Sequence, residues 1–235
     1  MRFREIITEA KNTIFADTTP FDQVSVTPVM KAAVDKILAP LGTEIYPIGS
    51  SANPKPGKES GDYDVQVDET DVAKFFKVKD GKAARQALDD YIQKQGFEVK
   101  KTGITVHVRI PLKTGNHQAD IEVVADAANI HQLHLHNIPA DSPYKGVNKQ
   151  QLLSKLAKDR MMLYSAWQGL FHRDAAGKKA DFITNQPDQI AKEILGPTAS
   201  AADLGSVESI LGRLPNANEV MAQMKTDPNW QEIKR

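Results

Sequence analysis

In the first half of the chain, helical and strand-like patterns of apolar residues follow one another. Apolar residues recur at helical spacing in three segments: 2–14, 27–38 and 82–95. Five shorter segments are apolar or alternate with the period of two that is typical of strands: 44–48, 62–68, 97–101, 105–111 and 117–125. We expect a turn over 113–116 to join the last two strands, and a loop over 53–57, where two prolines and a glycine interrupt the chain. These patterns predict a small mixed sheet flanked by helices.

The pattern becomes helical in the second half of the chain. Leu152, Leu156, Leu163 and Leu170 fall on one apolar side, which predicts a long helix over 148–171. Shorter helices are expected in three further segments: 187–195, 203–213 and 217–225. The whole chain is therefore expected to have an α+β fold. Its first domain would cover 1–130, and a helical region over 131–235 would pack on that domain.

Composition narrows the class of protein. The chain has 235 residues, of which 40% are hydrophobic and 26% charged, as in an ordinary globular domain with a core. It has no cysteine, so disulfide partners, thiolate metal sites and cysteine nucleophiles are excluded, and any metal must be held by oxygen or imidazole. Arg2, Arg4 and Glu5 stand where a signal peptide would be apolar, and no apolar stretch approaches the roughly 20 residues of a membrane span. We expect a cytoplasmic protein without a membrane partner.

The charges are segregated along the chain although the formal net charge is zero. The segment 59–71 holds six acids and no base, whereas the segment 145–179 holds eight bases and two acids. The acidic segment could gather cations and the basic segment could face phosphate. Both could equally be solvated surfaces, as charge runs commonly are.

Two short motifs carry candidate chemistry. Gly49 and Ser50 follow an apolar run, where backbone N–H groups can hold phosphate. Asp62 and Asp64 alternate on a predicted strand and so point the same way, which suits a divalent cation such as Mg²⁺. Without a cation, two such charges repel by about 1 kcal/mol in water and about 4 kcal/mol at the effective dielectric of a protein surface. Nucleotidyl transfer commonly uses two ions, which calls for a third carboxylate.

The third carboxylate is expected on the last strand of the first half. Asp120 and Glu122 lie on the same face of the segment 117–125, with apolar residues between and beside them. Either can serve as the third metal ligand. The residues alone leave both open.

The order of these motifs resembles that of the DNA polymerase beta-like nucleotidyltransferase superfamily. The resemblance covers roughly residues 28–125 and rests on three segments: Ile45-Tyr46-Pro47-Ile48-Gly49-Ser50, Gly61-Asp62-Tyr63-Asp64-Val65 and Ala119-Asp120-Ile121-Glu122. It implies a nucleotidyltransferase-like catalytic domain in which Gly49 and Ser50 contact a nucleoside triphosphate. It also implies two Mg²⁺ ions, replaceable by Mn²⁺, with Asp62 and Asp64 binding both. Asp120 would bind the ion that activates the acceptor hydroxyl.

The resemblance is incomplete around the triphosphate. Family members often have a short basic helical turn directly after Gly-Ser, whereas 51–60 is read here as a proline-broken loop. Relatives also often grip the triphosphate through a lysine or polar residue of a helix in the second half. Four lysines are candidates, with the first two placed foremost: Lys145, Lys149, Lys155 and Lys158. Each could instead be a solvated surface lysine.

The activity implied by the resemblance is transfer of a nucleoside monophosphate to an acceptor hydroxyl, with release of pyrophosphate. The acceptor could be RNA, a nucleotide, a protein or a small molecule, and the basic segment favours RNA or a nucleotide. One alternative is a non-catalytic relative that serves as a nucleotide-binding or assembly module. Another is a zinc protein organised by His131, His134 and His136, of which the last two could share a strand face. Those histidines could equally be ordinary surface or packing residues.

Overall fold

The chain forms two compact units, Met1–His131 and Gln132–Arg235. The structure, a computed structural model, describes residues 14–139, 141–228 and 230. The helix predicted over 2–14 therefore lies outside the described residues, apart from its last position. Each unit has β-sheet of its own.

A five-stranded mixed sheet forms the centre of the first unit, as the alternating segments predict. Its strands stand in the order β2-β4-β7-β6-β5. Their bounds are β2 Ile45–Pro47, β4 Asp62–Asp68, β5 Glu98–Thr102, β6 Thr105–Leu112 and β7 Gly115–Val124. The central pair β4 and β7 is parallel, and the other neighbours are antiparallel. Two short strands, β1 Phe21–Asp22 and β3 Glu59–Ser60, form a separate antiparallel pair.

The central strands are apolar on one face and polar on the other. Tyr63, Val65 and Val67 of β4 are at most 1% exposed, and Ala119, Ile121 and Val123 of β7 are fully buried beside them. Burying such side chains removes apolar area from water and contributes most of the folding free energy. The residues between them in sequence point to the opposite face, because successive side chains of a strand alternate.

Five helices within the described residues alternate with these strands or follow them, and the first, third and fourth contribute buried residues to the core on the apolar face of the sheet. Their bounds are α1 Gln23–Leu38, α2 Gly49–Ala52, α3 Glu69–Phe76, α4 Gly81–Lys94 and α5 Ala127–His134. Met30 and Val34 of α1 and Leu88 and Ile92 of α4 are buried in the same core as the sheet residues. Helix α1 begins before Pro28 because the Asp22 carboxylate caps it, accepting the Ser25 N–H at 2.9 Å.

The second unit contains a sheet, which corrects the expectation of a purely helical region. Its three antiparallel strands, in the order β10-β9-β8, are β8 Met162–Ser165, β9 Gly169–Arg173 and β10 Lys179–Thr184. Its helices are α6 Gly146–Asp159, α7 Pro187–Leu195, α8 Val207–Gly212 and α9 Ala217–Lys225. In the part of the chain that the structure describes, no helix is both long and apolar enough to cross a membrane.

The long helix predicted over 148–171 is wrong beyond residue 159. Met161 takes a left-handed φ of +58°, which ends the helical path and leads into β8. Gly169 has a φ of +88°, and a Cβ placed there would lie 2.3 Å from the Thr184 carbonyl oxygen, so only glycine fits this tight strand start. Leu163 and Leu170 match a helical period by chance, while the burial of Met162 and Tyr164 follows the strand period.

Candidate metal centre

Three carboxylates meet on the polar face of the five-stranded sheet. The parallel register of β4 and β7 sets Asp64 directly opposite Asp120, and Asp62 lies two residues earlier on the same face. Each of the three offers a carboxylate oxygen such that these oxygens lie within 4.8 Å of one another, and all three side chains are half-buried. Asp64 and Asp120, which are 56 positions apart in the chain, thus become neighbours through strand pairing alone.

The geometry and the donor type fit Mg²⁺ or Mn²⁺. Octahedral Mg²⁺ binds oxygen at about 2.0–2.1 Å, so two of its ligands lie about 3–4 Å apart. Carboxylate oxygens within 4.8 Å of one another need only a small adjustment to reach that spacing. A group of like charges held this close on a half-buried surface is costly until a cation compensates it. In the described ranges 14–139, 141–228 and 230, no other group of three such side chains comes together.

Asp120, rather than Glu122, belongs to this group. Glu122 stands one strand period further along β7, in register with Gln66 of β4. The Gln66 side-chain amide donates to Glu122 Oε2 at 2.8 Å, and Gln66 is fully buried. Glu122 is therefore tied to the neighbouring row of the sheet, while Asp120 faces Asp64.

The Gly49-Ser50 turn lies beside the carboxylates. Strand β2 runs antiparallel to β4, so the chain reaches Gly49 at the level of Asp64. Gly49 has a φ of +56°, and a Cβ there would lie 3.8 Å from Asp64 Oδ2. The space would admit a methyl group, but the left-handed backbone would strain any residue with a side chain by about 1–2 kcal/mol.

The segment after Gly49 begins with a helical turn, which corrects the expectation of a loop over all of 51–60. Helix α2 covers Gly49–Ala52, and the proline-broken segment 53–57 is a loop, as predicted. The turn carries no basic residue, because Lys55 and Lys58 come only after it.

Serine hydroxyls fasten this turn to β4. Ser51 is 7% exposed, and its Oγ accepts the Asp64 N–H at 2.8 Å. The Ile48 N–H in turn donates to the Asp64 carbonyl at 3.1 Å. Ser60 Oγ donates to the Asp62 carbonyl at 3.0 Å and lies 2.9 Å from Ser50 Oγ. The backbone on which Asp62 and Asp64 stand is therefore fixed to the turn.

Sequence patterns alone do not single out two side chains that hold Asp120. Both His107 Nδ1, on β6, and Gln118 Nε2, on β7, lie 2.8 Å from Asp120 Oδ1. His107 is 7% exposed and Gln118 1% exposed. Both lie on the polar side of strands whose alternating positions are apolar, and that alternation is the available signal. Alternation places Gln118 on the same face of β7 as Asp120, whereas the partner of His107 becomes evident only from the register of the β6–β7 hairpin.

The candidate lysines belong to the second unit, where two of them have different environments. Lys145 precedes α6 and is exposed, and its backbone N–H donates to Asn148 Oδ1 at 2.8 Å. Lys149 is 1% exposed, and its Nζ donates to the Leu133 and Leu135 carbonyls at 2.8 and 2.9 Å. Burial lowers the pKa of Lys149 to about 7. Lys149 is thus a buried residue of its own unit rather than a solvated surface lysine.

The histidine cluster is dispersed over helix and loop. His131 and His134 belong to α5, which corrects the expectation that His134 and His136 share a strand face. His131 stacks on Tyr46 with ring centroids 4.4 Å apart, and its Nδ1 lies 2.9 Å from the Ala127 carbonyl oxygen. His134 Nε2 lies 2.9 Å from the Ala166 carbonyl oxygen.

Comparison with known proteins adds no family to this geometry. No protein-family model matches the chain, and no curated protein matches its sequence. Asp62, Asp64 and Asp120, with the groups that hold them, are the features that indicate a metal centre.

Proposed function

We propose that this chain is a metal-dependent nucleotidyltransferase, which moves a nucleoside monophosphate from a nucleoside triphosphate to an acceptor hydroxyl. The observation that carries the proposal is the meeting of Asp62, Asp64 and Asp120 within 4.8 Å, beside the Gly49 turn. Carboxylates that hold cations and a glycine turn that can approach phosphate are both needed for this reaction, and here they adjoin. The DNA polymerase beta-like order of the motifs supports the same reading.

The chemistry follows from the donor set. Two divalent cations at this site would lower the pKa of the acceptor hydroxyl and stabilise the charge of the leaving pyrophosphate. Asp62 and Asp64 would hold both ions, and Asp120 would complete the site on the acceptor side. The acceptor oxygen forms a bond to the α-phosphorus while the bond from that phosphorus to the bridging oxygen breaks. The acceptor proton passes to the Asp120 carboxylate or to water.

Gly49 and Ser50 are proposed to contact the triphosphate. With a φ of +56° and no side chain, Gly49 would let a phosphate approach its backbone close to Asp64, which would hold the cations. Lys145 remains a candidate contact from the second unit. Lys149 would need to release two carbonyl groups before it could contact phosphate directly.

A double variant tests the proposal. Asp62→Ala with Asp64→Ala should keep the circular dichroism spectrum and abolish transfer of labelled nucleotide. Glu122→Gln is the matched control, because Glu122 lies on the same sheet face but outside the group of three. It should retain transfer within a few-fold. Full transfer by the double variant would refute the proposal.

The nucleotide and the acceptor can be identified in one screen. Each of the four triphosphates is incubated with Mg²⁺ and total RNA, and products are analysed by gel and mass spectrometry. A labelled RNA would support the RNA acceptor that the basic segment 145–179 favours. Calorimetric titration with a non-hydrolysable triphosphate separates an enzyme from a binding module, which would bind the nucleotide without turnover.

A further inference from the structure

We propose that His107 and Gln118 are positioning residues that fix which oxygen of Asp120 faces the metal centre. The inference rests on the proposed metal centre and concerns the orientation of its third carboxylate. Both side chains donate to Asp120 Oδ1, His107 from Nδ1 and Gln118 from Nε2, each at 2.8 Å. Asp120 Oδ2 is then the oxygen left for a cation.

The lone pairs of the carboxylate explain this selection. A carboxylate oxygen has two lone pairs in the carboxylate plane, and each accepts one hydrogen bond. His107 and Gln118 occupy both lone pairs of Oδ1. They also fix the plane of the carboxylate, whose side chain is only 14% exposed. A cation arriving at Oδ2 therefore meets an oriented ligand and need not order it.

The imidazole of His107 is itself held on its far side. Its Nε2 lies 2.6 Å from Thr102 Oγ1 of β5. Because the Asp120 carboxylate only accepts hydrogen bonds, Nδ1 carries the hydrogen that faces it, and in the neutral ring Nε2 accepts from the Thr102 hydroxyl. Strand register sets Asp120 and His107 directly opposite each other. Carboxylate–histidine pairs of this kind orient metal ligands in many proteins.

The side-chain amide of Gln118 is also held from behind. Its Oε1 accepts the backbone N–H of Ile14 at 2.9 Å, so the NH₂ group must face Asp120. The Ile14 carbonyl accepts a hydrogen bond from Lys100 Nζ at 2.9 Å, which connects Ile14 to β5. Gln118 is 1% exposed, and no solvent competes for its amide.

Mn²⁺ binding to the full chain, measured by electron paramagnetic resonance without nucleotide, tests the role of both residues. His107→Leu and Gln118→Met remove the donors while keeping buried apolar volume. Each should weaken Mn²⁺ binding about tenfold to a hundredfold, the usual cost of losing an outer partner of a metal ligand. Asp120→Asn should weaken it at least as much, which identifies the site measured.

His107→Asn separates positioning from packing. The Asn Nδ2 lies close to where Nδ1 of His107 lies, so the donor to Asp120 is kept while most of the ring is lost. Positioning predicts that His107→Asn binds Mn²⁺ within about threefold of the wild type. Packing predicts the reverse order, because the smaller Asn leaves a larger cavity than Leu. Asn no better than Leu would overturn the role of His107.

The remaining outcomes are equally decisive. Mn²⁺ binding by His107→Leu and Gln118→Met within twofold of the wild type would overturn the inference, as would a wild type whose Mn²⁺ binding does not depend on Asp120. If circular dichroism shows that His107→Leu is unfolded, Gln118→Met and His107→Asn decide. Failure of the proposed function looks different. Nucleotide transfer would then be absent from the wild type while the Mn²⁺ series still held.

Discussion

The two faces of the five-stranded sheet both bury side chains, but with different consequences. On one face, Tyr63, Val65 and Ile121 pack against helices and have at most 1% of their surface exposed. On the other face, Gln118 and His107 are almost as deeply buried, but each forms a hydrogen bond with Asp120. The apolar face stabilises the fold by removing area from water. The hydrogen bonds of the polar face contribute little net free energy to folding, because they replace hydrogen bonds to water. They do fix the orientation of the Asp120 carboxylate.

In the second unit, by contrast, a basic side chain is buried, and none of the described acidic residues accepts a hydrogen bond from its Nζ. Lys149 is buried as deeply as the apolar core, and the partners of its Nζ are two backbone carbonyls. Carbonyl oxygens satisfy the hydrogen bonds of an amine without supplying a full opposite charge. Burial disfavours the charged form of Lys149, and the carbonyls do not offset this cost, so the pKa falls to about 7. On the polar sheet face three carboxylates lie close together, whereas the charge of Lys149 is disfavoured by its burial.

The largest expected effect on stability comes from the apolar face. Ile121→Ala should lower the free energy of unfolding by about 2–5 kcal/mol, because Ile121 is fully buried and its loss leaves a cavity. Glu122→Gln, at the next position but on the other face, should change it by less than about 1 kcal/mol. Urea denaturation followed by circular dichroism measures both. Similar losses of unfolding free energy in the two variants would contradict the conclusion that the apolar face supplies most of the stability.

The pH dependence of unfolding should expose Lys149. Between pH 7 and 10.5, the unfolded chain binds a proton at this lysine that the folded chain does not bind. Stability from this group therefore rises with pH by about 1 kcal/mol per unit across that window and is flat below it. Lys149→Met should lack this rise, so the difference in stability between wild type and variant should grow with pH across the same window. Parallel curves for the two proteins, measured by urea denaturation at each pH, would show that Lys149 keeps its charge in the fold.

The smallest effect is expected from neutralising one carboxylate of the metal centre. Asp120→Asn keeps an oxygen that can accept from both His107 and Gln118 while it removes a like charge beside Asp64. The free energy of unfolding should rise by roughly 1 kcal/mol at low salt, and the gain should shrink in 1 M salt. Thermal unfolding at two salt concentrations measures it. A salt-independent loss of stability would mean that the three carboxylates do not repel one another.

Strand alternation explains how much of the first unit could be predicted. The segment 62–68 has the same bounds in the structure as in the sequence pattern, because acids and apolar residues alternate along it without a break. Asp120 could be placed on the same face as Glu122 for the same reason. What alternation does not supply is pairing, since it says which face a residue occupies and not which residue lies opposite.

The predicted turn over 113–116 does not place His107 opposite Asp120. A turn over 113–116 would set His107 opposite Glu122. The hairpin instead turns on Lys113 and Thr114 alone, which shifts the register by two residues and sets His107 opposite Asp120. In the second unit the predicted period of the apolar residues over 160–171 is wrong. Leu163 and Leu170 fit a helical period, whereas the left-handed backbone of Met161 and the conformation that Gly169 requires interrupt a helix and lead into strands.

The two-residue turns on either side of β6 determine which changes of length the chain can tolerate. Gly103 and Ile104 close one hairpin, and Lys113 and Thr114 close the other, so the stretch from Thr102 to Asp120 has no slack. One residue inserted within β7 before Asp120 would turn its carboxylate into the apolar core. The connection between Asp68 and Glu98, which contains two helices, has no such constraint. Natural variation in length should therefore concentrate in that connection and avoid the hairpins.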